Sequence, residues 1–210
     1  DVHALHEGVQ GLAPDGRVLM VQSGRRSDKR SRMLDPFAKL TTDPNEKPGV
    51  WTAYPSTNFE HWTGSSVMFD SARKVLVMGG FNANQQPTSS AEFIDLTVPQ
   101  AQASWKEVPS MKFPRTYHTS TILPDGKVLV TGGVKCEGSV DITCGTVMHA
   151  EMWDPTANPS CLAQTPWRTM AEQNEVRAYH SIAALLRVGR VLVGGGGLPR
   201  AEGEIDLNGI

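Results

Sequence analysis

Four times along the chain an apolar run follows the same rhythm into glycine: "HALHEGVQGLAPDGRVLMVQSG" from His3, "WTGSSVMFDSARKVLVMGG" from Trp62, "RTYHTSTILPDGKVLVTGG" from Arg115 and "RAYHSIAALLRVGRVLVGGGG" from Arg177. Aligned on a valine of the second hydrophobic run, the copies fall at Val18, Val75, Val128 and Val191, spacings of 57, 53 and 63 residues. A unit repeated at this period cannot bury its own apolar face alone and must stack on its neighbours. The repeat therefore constrains the fold more than any single motif does.

Each period carries several strand signals. After the glycines come "SRMLDP" at 31–36, "SAEFIDL" at 90–96 and "HAEMWDP" at 149–155, and a tryptophan follows in every period, at Trp51, Trp105 and Trp167. "APDGRV" and "LPDGKV" are Pro-Asp-Gly turns joining two apolar runs, where glycine supplies the positive φ of a tight hairpin. No window keeps a 3.6-residue apolar period, so helices should be few. About four short strands in each period of roughly 50 residues predicts an all-β fold, a kelch-type β-propeller with about four blades, near 3–51, 62–105, 115–167 and 177–210. The continuous apolar runs at 74–78 and 127–130 predict inner strands buried on both faces.

Propellers of this type close with six or seven blades, so the expectation is part of a larger ring, completed by other domains or other chains. The absence of an initial Met and of a signal peptide before Asp1 points to processing or to a preceding segment.

Composition excludes some partners. Twenty Lys and Arg against 22 Asp and Glu give a net charge of −2. The one basic cluster, "GRRSDKRSR" at 24–32, is interrupted by Asp28 and reads as a solvated loop rather than a phosphate-binding patch, so no nucleic-acid partner is expected. No apolar run is long enough for a membrane span. Three cysteines, Cys136, Cys144 and Cys161, match no zinc spacing; a disulfide from Cys136 to Cys144 or to Cys161 would place the protein in an oxidising compartment, outside the cell. His3 and His6 stand in H-x-x-H spacing, but on a strand they face opposite sides and do not suggest a metal.

Taken in order, "GVWTAYPSTNFEHWT", "GSSVMFDSARKVLVMGG", "RTYHTSTILPDGKVLVTGG" and "RAYHSIAALLRVGRVLVGGGGLP" resemble the central kelch propeller of galactose oxidase and its copper radical oxidase relatives, from about Gly49 to Pro199. The resemblance implies that Tyr179 is an axial copper ligand and catalytic proton acceptor, and that His180 is an equatorial ligand. Imidazole nitrogen and phenolate oxygen together suit Cu(II). It further implies a secreted protein acting on a carbohydrate, a small alcohol or an aldehyde.

The departures are equally specific. The family's cysteine-linked tyrosine lies on an earlier blade, yet here Glu7 stands at the matching repeat position and no cysteine precedes Cys136. The family's second histidine comes from a C-terminal domain, and 30 residues follow His180. Tyr117 and His118 also repeat the Tyr-His phrase without a copper role, which predicts that the phrase has a structural use, with Arg115 and Arg177 pairing carboxylates such as Glu151. Two functions follow: a non-catalytic structural or carbohydrate-binding propeller, or a copper radical oxidase that makes hydrogen peroxide from O₂ with ligands supplied by other segments. The tryptophans are expected to pack between blades, a rim position being open to sugar stacking.

Overall fold

The computed structural model describes residues 9–21, 29–43, 45, 48–135, 145–157, 166–179 and 181–196. Within them the chain forms fourteen strands and a single 3₁₀ turn at Gln100–Gln102. The strands make four antiparallel sheets, each a meander in chain order. The first blade is β1 (Val9–Leu12), β2 (Val18–Val21), β3 (Ser31–Asp35) and β4 (Val50–Tyr54). The second is β5 (Ser65–Phe69), β6 (Lys74–Met78), β7 (Ala91–Asp95) and β8 (Lys106–Val108). The third is β9 (Thr119–Ile122), β10 (Val128–Thr131), β11 (His149–Trp153) and β12 (Trp167–Glu172). The fourth contributes β13 (Ser181–Leu185) and β14 (Val191–Gly195).

The first strands of successive blades, β1, β5, β9 and β13, lie side by side in that order, so the sheets converge there. Hydroxyls join these strands: Ser120 Oγ donates to Ser66 O at 3.0 Å and is 2.7 Å from Ser65 Oγ. The apolar runs are the second strands, not the ones nearest the axis. The run of the second blade is nevertheless buried on both faces, because a strand pairs on either side of it and a neighbouring blade covers each face; Val75, Leu76, Val77 and Met78 are all fully buried, whereas in the third blade Val128 and Val130 are buried and Leu129, on the other face, is half-buried. The outer strands begin at or beside the tryptophans rather than ending there.

Local sequence explains the hairpins. In the first, third and fourth blades the turn glycines Gly16, Gly126 and Gly189 have φ of 86°, 82° and 75°, conformations that cost little without a Cβ. The second blade turns through Asp70, Ser71 and Ala72, all at positive φ, and Arg73 N–H closes it on Asp70 O at 3.2 Å.

Two apolar clusters lie between blades. One joins Leu19, Val21, Met33 and Tyr54 of the first blade to Val75, Val77, Ile94 and Trp105 of the second. The other joins Phe69, Leu76 and Met78 of the second blade to Val128, Val130, Trp153 and Trp167 of the third. The tryptophans are therefore inter-blade packing residues in the second and third blades. Trp105 donates its indole N–H to Pro55 O at 2.8 Å, and Trp167 donates to Pro109 O at 2.5 Å. Trp51 of the first blade is 43% exposed. Cys136, Cys144, Cys161, His3, His6 and Glu7 lie outside the described residues.

The blade joint and the axial tyrosines

The Gly-Gly that follows β6 and β10 is where the next blade attaches. Gly79 and Gly132 have φ of 60° and 68°. A Cβ on Gly79 would sit 2.6 Å from Arg115 O and 2.5 Å from His118 Cε1, and a Cβ on Gly132 would overlap Arg177 O. The following glycines complete the joint: Gly80 N–H donates to Arg115 O and Gly133 N–H to Arg177 O, each at 2.8 Å. A side chain at these positions would separate the blades, which is the physical reason for glycine here.

The Arg-x-Tyr-His phrase of the third blade is the other half of that joint. Arg115 is fully buried; its guanidinium donates to Gly132 O at 3.0 Å, to His149 O at 3.0 Å and to Glu151 Oε2 at 2.7 Å. Glu151 also accepts the backbone N–H groups of Lys112 at 2.7 Å and Phe113 at 3.3 Å, clasping the segment that enters its blade. Tyr117, at φ 57°, donates its backbone N–H to Thr63 O of the second blade at 2.9 Å. His118 is buried between the blades. Burial first, then the neighbouring Arg115 and His61, push its pKa well below the ordinary imidazole value.

The second blade carries the same device in different residues. His61 Nδ1 lies 2.7 Å from Gly79 O and its Nε2 lies 3.0 Å from Glu92 Oε1, both side chains fully buried. Glu92 accepts the backbone N–H groups of Asn58 at 3.0 Å and Phe59 at 3.1 Å, as Glu151 does with Lys112 and Phe113. Seven residues separate His61 from Met68, as seven separate Arg115 from Ile122, and both strand residues face the aligned valine across the hairpin. His61 thus replaces the arginine that the second copy of the phrase lacks. A search for Arg alone misses it; the spacing finds it.

In the fourth blade Arg177 donates to Gly195 O at 3.0 Å, and a Cβ on Gly196 would lie 3.1 Å from Arg177 Cα. The glycine run does pack against the segment that leads to Tyr179. Here, however, eight residues separate Arg177 from Leu185, the partner of Val191. The fourth blade therefore holds one residue more than the others between its arginine and the residue that faces the aligned valine, a stretch that includes Tyr179. Aligning the phrase from the arginine alone hides this insertion.

Tyr179 stands in an aromatic row that crosses three blades. Its ring meets that of Tyr117 edge-on at 4.9 Å between centroids, Tyr117 meets Phe81 edge-on at 5.8 Å, and Phe81 leans on Trp62 at 5.4 Å. Trp62, Tyr117 and Tyr179 lie just before the first strands of their blades, where the sheets converge, and Phe81 follows β6. Edge-to-face contacts of this kind each contribute about 0.5–1.5 kcal/mol beyond the area they bury. Tyr179 is half-buried, and His180 and Gly197 lie outside the described residues. Tested as a copper site, the described residues offer the phenols of Tyr117 and Tyr179 at this place and no group of three or more His, Cys, Asp or Glu side chains able to hold a metal. They do not make up a copper site by themselves.

No family profile matches the chain. Over 142 residues it is 35% identical to a galactose oxidase of Gibberella zeae, a match covering 64% of this chain and 19% of that protein. Over 101 residues it is 36% identical to the F-box/kelch-repeat protein At4g39580 of Arabidopsis thaliana, covering 47% of this chain and 24% of the other. The chain therefore spans less than a quarter of the length of either relative. Among solved structures, a fungal alcohol oxidase of the AA5 family in complex with copper superposes with a TM-score of 0.71 at 24% identity, over 93% of this chain and 37% of that one. The protein YjhT superposes with a TM-score of 0.58 at 15% identity, over 84% and 54%. Likeness at these identities speaks to the fold.

Proposed function

We propose that the chain is a galactose oxidase-like kelch β-propeller whose 210 residues serve an extracellular protein as a structural or carbohydrate-binding module rather than as a self-sufficient redox centre. The observation that carries this reading is the use of the Arg-x-Tyr-His phrase at 115–118. Each described contact of that phrase joins blade to blade or ties a strand end: Arg115 to Glu151, Tyr117 N–H to Thr63 O, His118 beneath Gly79. A phrase with this mechanical use needs no metal to explain its recurrence.

One observation favours a second reading at the other copy. The extra residue between Arg177 and Leu185 sets the stretch carrying Tyr179 apart from the matching stretches of the other blades, and adjacent Tyr and His side chains reach one ion only from backbone that departs from a regular strand. In that reading Tyr179 and His180 are two ligands of a copper ion whose remaining ligands come from other segments. Copper would supply one-electron chemistry for alcohol or aldehyde oxidation by O₂. Tyr179 would hold a proton at its phenol oxygen, and the edge of Tyr117 would fix the plane of its ring.

Copper loading followed by metal analysis and a peroxide assay with simple alcohols and aldehydes separates the two. The structural reading expects less than one copper per chain and no peroxide, and Tyr179→Phe shifting stability by about 1 kcal/mol, the scale of one hydrogen bond. Stoichiometric copper, with peroxide formation that Tyr179→Phe abolishes, would overturn it.

A further inference from the structure

The second and third blades meet on two buried histidines with opposite surroundings. Both ring nitrogens of His61 face acceptors, Gly79 O at 2.7 Å and Glu92 Oε1 at 3.0 Å. Neither ring nitrogen of His118 has a hydrogen-bond partner, although the side chain is buried. Its place is fixed at both ends. A Cβ on Gly133 would lie 2.9 Å from His118 Cβ and a Cβ on Gly79 would lie 2.5 Å from His118 Cε1, so the side chain reaches from the joint with the fourth blade to the joint with the second. The ring itself sits at the second.

Among the described residues, nothing in the closed joint answers a charge on that ring. The charged groups around it come from both blades, Arg115 with Glu151 on its own and His61 with Glu92 on the second. Each carboxylate is already engaged by that partner and by two backbone N–H groups. Across Gly133, Arg177 turns its guanidinium to Gly195 O. The Met78 carbonyl favours a proton on His118 but closes no hydrogen bond with it. An imidazolium here is a buried, unpaired cation beside Arg115, relieved only where water can reach it.

The neighbouring backbone has a reason to move. Tyr117 holds φ 57°, a left-handed conformation that strains a residue with a Cβ. Its N–H on Thr63 O at 2.9 Å, the Gly80 N–H on Arg115 O at 2.8 Å and its ring contacts with Phe81 and Tyr179 keep it there. We propose that the joint between the second and third blades is an acid-operated latch: a proton taken up by His118 opens it, and Tyr117 leaves the aromatic row that braces Tyr179. The trigger is the unsatisfied ring. The element it biases is the strained segment from Arg115 to His118, which lets go of Thr63 and Gly80 together. The open form binds one proton more than the closed form, so its population rises as pH falls through the ordinary histidine value of about 6.5. The latch needs no metal and is independent of the copper and carbohydrate readings above.

Hydrogen exchange resolved to single amides in the full-length polypeptide, corrected for intrinsic rates, reads the latch. The Gly80 and Tyr117 amides should lose about fifteenfold of their protection between pH 6.5 and 5, the factor for one histidine that titrates only in the open form. The Gly133 amide, which donates to Arg177 O at the next joint, should stay within about twofold over the same range. Unchanged protection at Gly80 and Tyr117 overturns the proposal, and so does an equal loss at Gly133, which signals global unfolding. His118→Gln keeps a polar side chain that does not titrate, and in it the Gly80 and Tyr117 amides should hold their protection to within about twofold. A folded variant that still loses it overturns the latch. If the variant fails to fold, the contrast between Gly80 and Gly133 in the parent protein decides alone.

Discussion

Arg115 Nη2 and Glu151 Oε2 lie 2.7 Å apart with both side chains wholly excluded from solvent. The guanidinium also serves two carbonyls and the carboxylate also serves two backbone N–H groups, while Arg115 Nε is left without a partner. Removing one member leaves the other charged and buried. Arg115→Ala should therefore destabilise the protein by about 3–5 kcal/mol. Urea unfolding reads this directly, and a loss below about 1 kcal/mol would show that the pair is not buried as described.

His118 makes stability depend on acid. Its pKa is pushed down by burial, then by Arg115 and His61, so the folded protein keeps the ring neutral where the unfolded chain protonates it. The unfolded state binds the extra proton below its ordinary value of about 6.5, so this contribution lowers stability as pH falls through that value and is absent above it. His118→Leu should flatten the slope of unfolding free energy between about pH 6.5 and 5 relative to the parent protein, whatever its effect at neutral pH. Parallel slopes would sink the assignment.

Gly79 and Gly126 separate backbone strain from close packing. Both have positive φ, 60° and 82°, but a Cβ on Gly126 meets nothing within 4 Å, whereas on Gly79 it meets Arg115 O and His118 Cε1. Gly126→Ala should cost about 1–2 kcal/mol, the left-handed penalty alone. Gly79→Ala adds a steric term of about 1–3 kcal/mol. Equal midpoint shifts for the two variants in thermal denaturation would refute the idea that Gly79 holds the joint.

Trp105→Phe removes an indole N–H and part of a buried ring at once, leaving Pro55 O without its donor. A loss of about 2 kcal/mol is expected, from the vacated volume and the unpaired carbonyl together. As a negative control, Lys106→Ala on the neighbouring exposed position should stay within about 0.5 kcal/mol.

Much of the architecture was legible in the sequence because its signals are local. Pro-Asp-Gly fixes a hairpin within a few residues, and the valine runs can be buried only where strands lie on both sides. The tryptophans at 105 and 167 were legible as inter-blade residues for the same reason, being bulky, apolar and once per period. What stayed hidden depends on register. His61 stands one residue before the point from which its copy of the repeat was read, and histidine does not look like arginine until Glu92 and Gly79 O are seen to receive it. The extra residue between Arg177 and Leu185 was invisible because the Arg-x-Tyr-His phrase aligns well without it; only the pairing of Leu185 with Val191 counts it. The roles of Tyr179 and His180 came from resemblance, and resemblance carries residue identities but not the geometry of a complete donor set.

The joint at Gly79–Gly80 and Gly132–Gly133 has a polarity with a temporal meaning. Each blade offers its glycines before the following blade's arginine segment exists, since that segment lies 35 residues later at the first joint, from Gly80 to Arg115, and 44 later at the second, from Gly133 to Arg177. During synthesis from the N-terminus, a finished blade thus waits as a template on which the emerging one docks. Pulse-labelled hydrogen exchange on the nascent chain should find the amides of β6 protected before those of β10.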